Sequence, residues 1–333
     1  MKMLITGVAG LLGSRLADWI IENTEHDIVG VDDLSGGYME NVHEKVEFHQ
    51  FDISNENTFE KLVESTRPNV IYHFAAYAAE GLSPFMRSFN YKNNLMSTAK
   101  VINASINHDV QRLVFTSTMA VYGHGNPPFD ENDIPSPIDP YGVAKYACEM
   151  DIKIAGEQHG LDWCIIRPHN VYGEKQNIWD RYRNVLGIWM YQYMNGDNMT
   201  IFGDGKQKRA FSYIGDCLEP LYKAGFDERA SKEIINLGSG TFYTINEACE
   251  ILKGVIQGGS SIYLESRHEV KNAHPTWEKS MDILQYEDKT DLKNGLKKMW
   301  SWAQEQADRK RKHWEIYEVE KKIYKFWRKN EKK

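Results

Sequence analysis

Thr6-Gly7-Val8-Ala9-Gly10-Leu11-Leu12-Gly13 joins a short apolar run at residues 3–6 to a segment of helical length and periodicity at residues 11–23. A strand that turns through glycines straight into a helix presents backbone amides at the helix's positive end, with no Cβ to obstruct a diphosphate. Nineteen residues beyond Gly13, at the end of a second apolar run (28–31), stands Asp32, whose carboxylate can accept hydrogen bonds from an adenosine ribose diol. It would repel a 2′-phosphate, and no Arg or Lys lies between Asp33 and Glu44 to offset that, so the pattern favours NAD over NADP. Asp33, Leu34 and Ser35 continue the same loop. Phe51-Asp52-Ile53, after a third run, is placed to flank the adenine, with Asp52 alternatively a helix N-cap.

The alternation continues along the chain. Runs at 46–50, 70–74, 112–117 and 162–167 read as buried parallel strands, and 56–65, 85–107 and 140–159 as helices, which makes repeated βαβ units. The expected fold is α/β, a doubly wound parallel sheet of Rossmann type. After Arg167 the pattern loosens into Gly- and Asn-rich connections at 170–180 and 202–208, which predict a smaller α/β substrate-binding part. The expected division is residues 1–170, mainly dinucleotide-binding with later segments contributing, then 171–307, mainly substrate-binding, then a basic C-terminal segment, 308–333.

A chain of 333 residues, 41% hydrophobic and 26% charged, suits a globular enzyme with a large core. Residues 308–333 hold eleven Lys/Arg against five Asp/Glu, so the rest carries −13 of a net −7, which argues against nucleic-acid binding. The four cysteines show no CxxC spacing, which points to a reducing compartment and no metal site. No run of about 18 apolar residues occurs, so a soluble, cytoplasmic protein without integral membrane contact is expected. In the tail Ile316, Val319, Ile323 and Phe326 recur at helical spacing, flanked by Trp314 and Trp327. That predicts an amphipathic helix docked on the body or at a subunit interface, with a membrane-surface helix as the alternative.

Tyr141 and Lys145 stand at i and i+4 on an expected helix, so the ammonium can lie near the phenol and lower its pKa, making it a general base. Thr116-Ser117-Thr118 ends the preceding strand at the edge where ligands of such sheets bind. With the glycine motif, these residues resemble the extended short-chain dehydrogenase/reductase family over about residues 3–302, and within it the UDP-glucose 4-epimerases. The resemblance implies Tyr141 as base, Lys145 holding the nicotinamide ribose, and Thr118 hydrogen-bonding the reacting hydroxyl. It also implies Phe74, Ala75, Ala76, Asn94, Thr116 and Pro168 beside the cofactor.

For a nucleotide-sugar substrate the resemblance implies Asn170, Asn184, Val185, Phe202, Arg209, Arg267 and Glu269. The two arginines suit a diphosphate and Glu269 a ribose diol. In the implied reaction Tyr141 removes the C4 hydroxyl proton as hydride passes to NAD, a 4-ketose turns in the pocket, and hydride returns to the other face. Related 4,6-dehydratases carry Asp-Glu after the Thr and decarboxylating relatives keep the Glu; Met119 and Ala120 stand there instead, which favours epimerisation. Two departures concern the sugar: Ala78 replaces a sugar-contacting Lys, and Ala273 falls where a Tyr gates the pocket, leaving room for an N-acetylated hexose. A homodimer through helices after Phe85 and around 141–156 is implied as well. Alternatives are another nucleotide-sugar epimerase, an NAD-linked reductase, or a non-enzymatic NAD-binding regulator.

Overall fold

The computed structural model describes residues 1–55, 57–309, 314 and 316–328. Seven strands form one parallel sheet: β1 (Lys2–Thr6), β2 (Asp27–Asp32), β3 (Glu47–Gln50), β4 (Val70–His73), β5 (Arg112–Thr116), β6 (Trp163–Pro168) and β7 (Glu233–Leu237). Their order is β7-β6-β5-β4-β1-β2-β3. Strand order reverses between β1 and β4, paired from Met3–Val70 to Thr6–His73, and the loops leaving these two strands open a crevice at their carboxyl ends. The strands are near-continuous apolar runs because helices cover both faces of the sheet.

The first six strands lie within a residue or two of their expected positions. The seventh was not expected: it lies within the later half of the chain and returns to pair with β6, Glu233 opposite Cys164. Helix Ile214–Ala224 returns with it, burying Cys217, Leu221 and Ala224 against the sheet. The rest of that half builds a second core around Trp189, Met190, Leu252, Leu296 and Met299, on helices Val185–Met194, Ile245–Ile256 and Leu292–Gln304.

Helix α1 (Leu11–Asn23) starts on Gly10. Gly7 has φ +72°, and a Cβ there would lie 2.7 Å from the Ala75 nitrogen; a Cβ on Gly13 would lie 2.2 Å from the Gly7 oxygen. Both glycines are therefore required by close approach of backbone to backbone. The expected helix at 85–107 is interrupted. It comprises Arg87–Tyr91, a π-helical turn at Lys92–Met96, and α2 (Ser97–Asn107), with the turn displaced around the buried Asn94. Helix α3 (Pro140–His159) is set by Asp139, whose side chain accepts from the Gly142 amide, by Pro140 in its first turn, and by Gly160 at φ +74° after its end.

The amphipathic helix expected in the tail is not formed in the described residues, where only a 3-10 turn, Lys325–Trp327, is regular. Residues 310–313, 315 and 329–333 of that expectation lie outside the described residues. Instead the aromatic side chains pack into one cluster with the body: Trp314 on Tyr77 and Phe89, Tyr317 on Tyr182, Trp327 on Phe85 and Tyr182. Lys322 adopts φ +62°, which ends any helical path. Burial of the rings in this shared cluster outweighs a short helix's small intrinsic stability. Among the described residues no helix is long and apolar enough to cross a membrane, and no group of His, Cys, Asp and Glu is placed to hold a metal ion. All four cysteines are free and buried.

Candidate active site

The crevice continues into a cavity of about 450 Å³ that runs from the glycine turn to the loop at 267–270. At one end it is lined by Gly7, Gly10, Leu11, Leu12 and Gly13, by Asp32, Asp33 and Ser35, by Asp52 and Ile53, and by Phe74, Ala75 and Ala76. The opening of α1 between glycines that admit no Cβ is a cradle for a diphosphate. Asp32 is buried, and its carboxylate accepts from the Ala9 amide at 3.0 Å and the Leu34 amide at 2.8 Å, so it ties the glycine turn to the β2 loop. Burial raises its pKa above the usual carboxylate value. Asp52 caps no helix: it accepts from the Ser54 amide and hydroxyl, at 2.8 and 2.6 Å, in a local turn.

Two residues expected beside the cofactor do not line the cavity. Leu34 turns away at φ +60° and contributes its amide to Asp32. Asn94 is fully buried beneath the wall, accepting from the Tyr77 amide at 3.1 Å, and thereby shapes the 74–78 loop; Asn93 and Ser97 line the cavity from that segment.

Thr116, Ser117 and Thr118 leave β5 into the cavity's centre, facing Tyr141 and Lys145 from the first turns of α3. Thr118 stands beside the Tyr141 phenol. Its hydroxyl accepts from the Ala120 amide at 3.1 Å, which fixes its rotamer. Lys145 is 2% exposed, donates to the Thr116 carbonyl at 2.7 Å and lies 4.6 Å over the Phe115 ring. Burial lowers its pKa to about 8. The phenol departs from expectation: burial, then the charge of Glu80, pushes Tyr141 above its ordinary pKa, and Thr118 only partly opposes this. Desolvation of the phenolate exceeds what the chain's own groups return, and the positive charge of an oxidised nicotinamide is what would offset it.

At the far end lie Asn170, Asn184, Val185, Phe202, Arg209, Arg267 and Glu269, with Pro168 between the two halves. Arg209 meets Glu269 at 3.2 Å, and Arg267 meets the same carboxylate at 3.6 Å while stacking 4.0 Å over Phe202. Asn170 donates to the Ala210 carbonyl at 2.8 Å, and Asn184 accepts from the Leu186 amide at 3.0 Å as a helix cap, so each amide is partly committed to backbone. Ala273 does not line the cavity: it is buried with Met119, Val121, Tyr122 and Phe129, on a short strand paired opposite Arg209. Val270 lines the cavity in that region, and Ala78 does so as expected.

Glu80, Asp139, Arg183 and His268 also line the cavity and were not foreseen. Glu80 could have been flagged by its short offset from Phe74-Ala75-Ala76. Nothing in the sequence signals Arg183, which reaches the Gly36 backbone and lies 4.7 Å over the Tyr77 ring.

Residues 3–238 match the NAD dependent epimerase/dehydratase family. A Methanocaldococcus jannaschii protein provisionally named UDP-glucose 4-epimerase is 33% identical over 304 residues, 90% of this chain and 97% of that one. The crystal structure of UDP-glucose 4-epimerase from Thermotoga maritima with UDP-glucose superposes with a TM-score of 0.87 at 30% identity, covering 91% of this chain and 99% of that one. UDP-glucuronic acid 4-epimerase from Bacillus cereus, in complex with UDP-glucuronic acid and NAD, superposes with a TM-score of 0.84 at 27% identity over the same two shares.

Proposed function

Because the chain belongs to the NAD dependent epimerase/dehydratase family, we propose that it is a 4-epimerase of a UDP-hexose, working through a transient 4-keto sugar. NAD is the family's cofactor, and the glycine cradle on α1, the Asp32 loop and Lys145 would hold it. The observation that carries the proposal is the meeting of Thr118, Tyr141 and Lys145 in one continuous cavity, between that cradle and the Arg209–Arg267 pair.

Bound NAD would supply a hydride acceptor that can return the hydride to either face of the sugar. Tyr141 takes the proton from the C4 hydroxyl and gives it back, and Thr118 shares it by hydrogen bonding. Lys145, anchored on the Thr116 carbonyl, brings a positive charge beside the reacting groups. Arg209 and Arg267 grip the diphosphate by charge-assisted bonds, so the nucleotide stays while the sugar turns. Met119 and Ala120 offer no acid or base for elimination, which supports epimerisation over dehydration. With Ala273 outside the cavity, the N-acetylated pair keeps only Ala78 in its favour, so UDP-glucose and UDP-galactose are the proposed substrates.

The test is to incubate the purified protein with UDP-glucose and with UDP-N-acetylglucosamine, separately and without added cofactor, and follow proton NMR. The galacto epimer is expected from UDP-glucose. Failure with both sugars, even after NAD is supplied, sinks the assignment.

A homodimer and a cytoplasmic setting belong to the same proposal, the second supported by four buried free thiols. Val143, Met150 and Ile154, 43%, 49% and 45% exposed, share one face of α3, and Met96 is 55% exposed on the preceding segment. Such a stripe suits a self-complementary helical interface. Met150→Glu is expected to convert a dimer to a monomer in light scattering; a monomeric parent protein removes the idea.

A further inference from the structure

Two carboxyl groups face the cavity beside Tyr141, and the reaction outlined above uses neither. Glu80 lines the cavity on the loop after β4, open to the cavity's interior but enclosed by the protein around it. Burial pushes its carboxyl up to about 7; Asp139 and Glu269 add to this, and Arg209 and Arg267 oppose it. Asp139 lines the same wall, with one oxygen occupied by the Gly142 amide at 2.9 Å and by Ser83 at 3.4 Å.

The cations of the cavity are committed elsewhere. Among the described residues its Lys and Arg side chains are Lys145, Arg183, Arg209 and Arg267. Lys145 donates to the Thr116 carbonyl, Arg183 pairs with Asp180 at 3.2 Å, and the other two share Glu269. A nucleotide's diphosphate and a dinucleotide's diphosphate draw further on the arginines. A carboxylate on the sugar would thus meet Glu80 and Asp139 while the three arginines are already paired with carboxylates, whereas sugar hydroxyls can donate to both.

Resting on the function proposed above, we infer that Glu80 sets the substrate class: it accepts hydrogen bonds from a neutral hexose and excludes a hexuronate by like-charge repulsion. The B. cereus relative, crystallised with UDP-glucuronic acid, shows that this scaffold can accept the opposite class. Two like charges about 6 Å apart at an effective dielectric of about 20 repel strongly enough for a discrimination of roughly thirtyfold or more.

The experiment is calorimetric titration of the NAD-loaded protein and of E80Q with UDP-glucose and UDP-glucuronate between pH 6 and 8.5. The uronate is ionised throughout that range. At pH 8 the wild-type protein is expected to bind UDP-glucuronate about thirtyfold or more weakly than UDP-glucose. The gap should shrink as pH falls through about 7, because protonation removes the Glu80 charge. Asp139, Tyr141, Arg209, Arg267, His268 and Glu269 face the same space; a flat profile in E80Q assigns the effect to Glu80. E80Q should also narrow the gap at pH 8 by about tenfold. An unchanged gap in E80Q overturns the inference, and so does equal binding of the two sugars by the wild-type protein. Should E80Q fail to fold, a pH-independent gap in the wild-type protein overturns it equally. Binding of neither sugar overturns the proposed function and this inference with it, whereas equal binding overturns this inference alone.

Discussion

Tyr141→Phe is expected to lower kcat by about 10²–10⁴-fold, the usual contribution of a positioned acid–base group, while NAD and nucleotide-sugar binding stay close to wild type. The phenol is buried at the centre of the cavity beside Thr118 and Lys145. Removing one oxygen leaves the ring's packing, so the loss should fall on turnover and not on folding. The measurement is epimerisation rate by NMR, alongside the NAD content of the purified variant and its affinity for the nucleotide sugar. Turnover within tenfold of wild type would show that Tyr141 is not the base, and Glu80 would become the group to test.

The largest stability effect is expected one layer below the cavity floor. Arg167 and Glu149 are 1% and 0% exposed and meet through two bonds, Nε to Oε1 at 2.9 Å and Nη2 to Oε2 at 2.6 Å. Ser117 donates to Glu149 at 2.5 Å, and the Arg167 Nη1 donates to the Tyr122 hydroxyl, which in turn donates to Asn236 at 2.7 Å. The network fastens β5, α3, β6 and β7 together directly beneath Thr118. Arg167→Met should cost about 3–5 kcal/mol, because a carboxylate is left buried without a partner. Adding Glu149→Leu should restore much of that loss, since two apolar groups of similar volume replace two desolvated charges. Denaturant unfolding of the single and double variants checks both statements. A single variant within 1 kcal/mol of wild type would mean that water or a shifted side chain already solvates Glu149.

The Rossmann half was legible because its information is local. Apolar runs of strand length, helical periods between them, the glycine turn and Asp32 each announce themselves within a few residues, and the backbone geometry they require leaves few alternatives. The Tyr141–Lys145 spacing was equally plain, since a helix places i and i+4 on one face. Less legible were Leu34 and Asn94, whose positions suggested cofactor contact but whose polar groups serve the chain itself, one closing the Asp32 turn and the other holding Tyr77. The tail misled for a related reason: apolar residues at helical spacing also satisfy an irregular strap whose rings pack into one cluster on the body.

The sequence by itself therefore determined the βαβ architecture, the glycine turn and the Tyr141–Lys145 spacing, all properties of short segments with fixed backbone geometry. Only the tertiary structure decided where Ala273 points, that β7 returns to the sheet, how the tail docks, and that Glu80 and Asp139 converge beside Tyr141. Glu80 and Asp139 lie 59 residues apart, so their meeting and the raised pKa of Glu80 depend on desolvation and on neighbours from other loops. Such effects follow distance in space, and no local pattern encodes them.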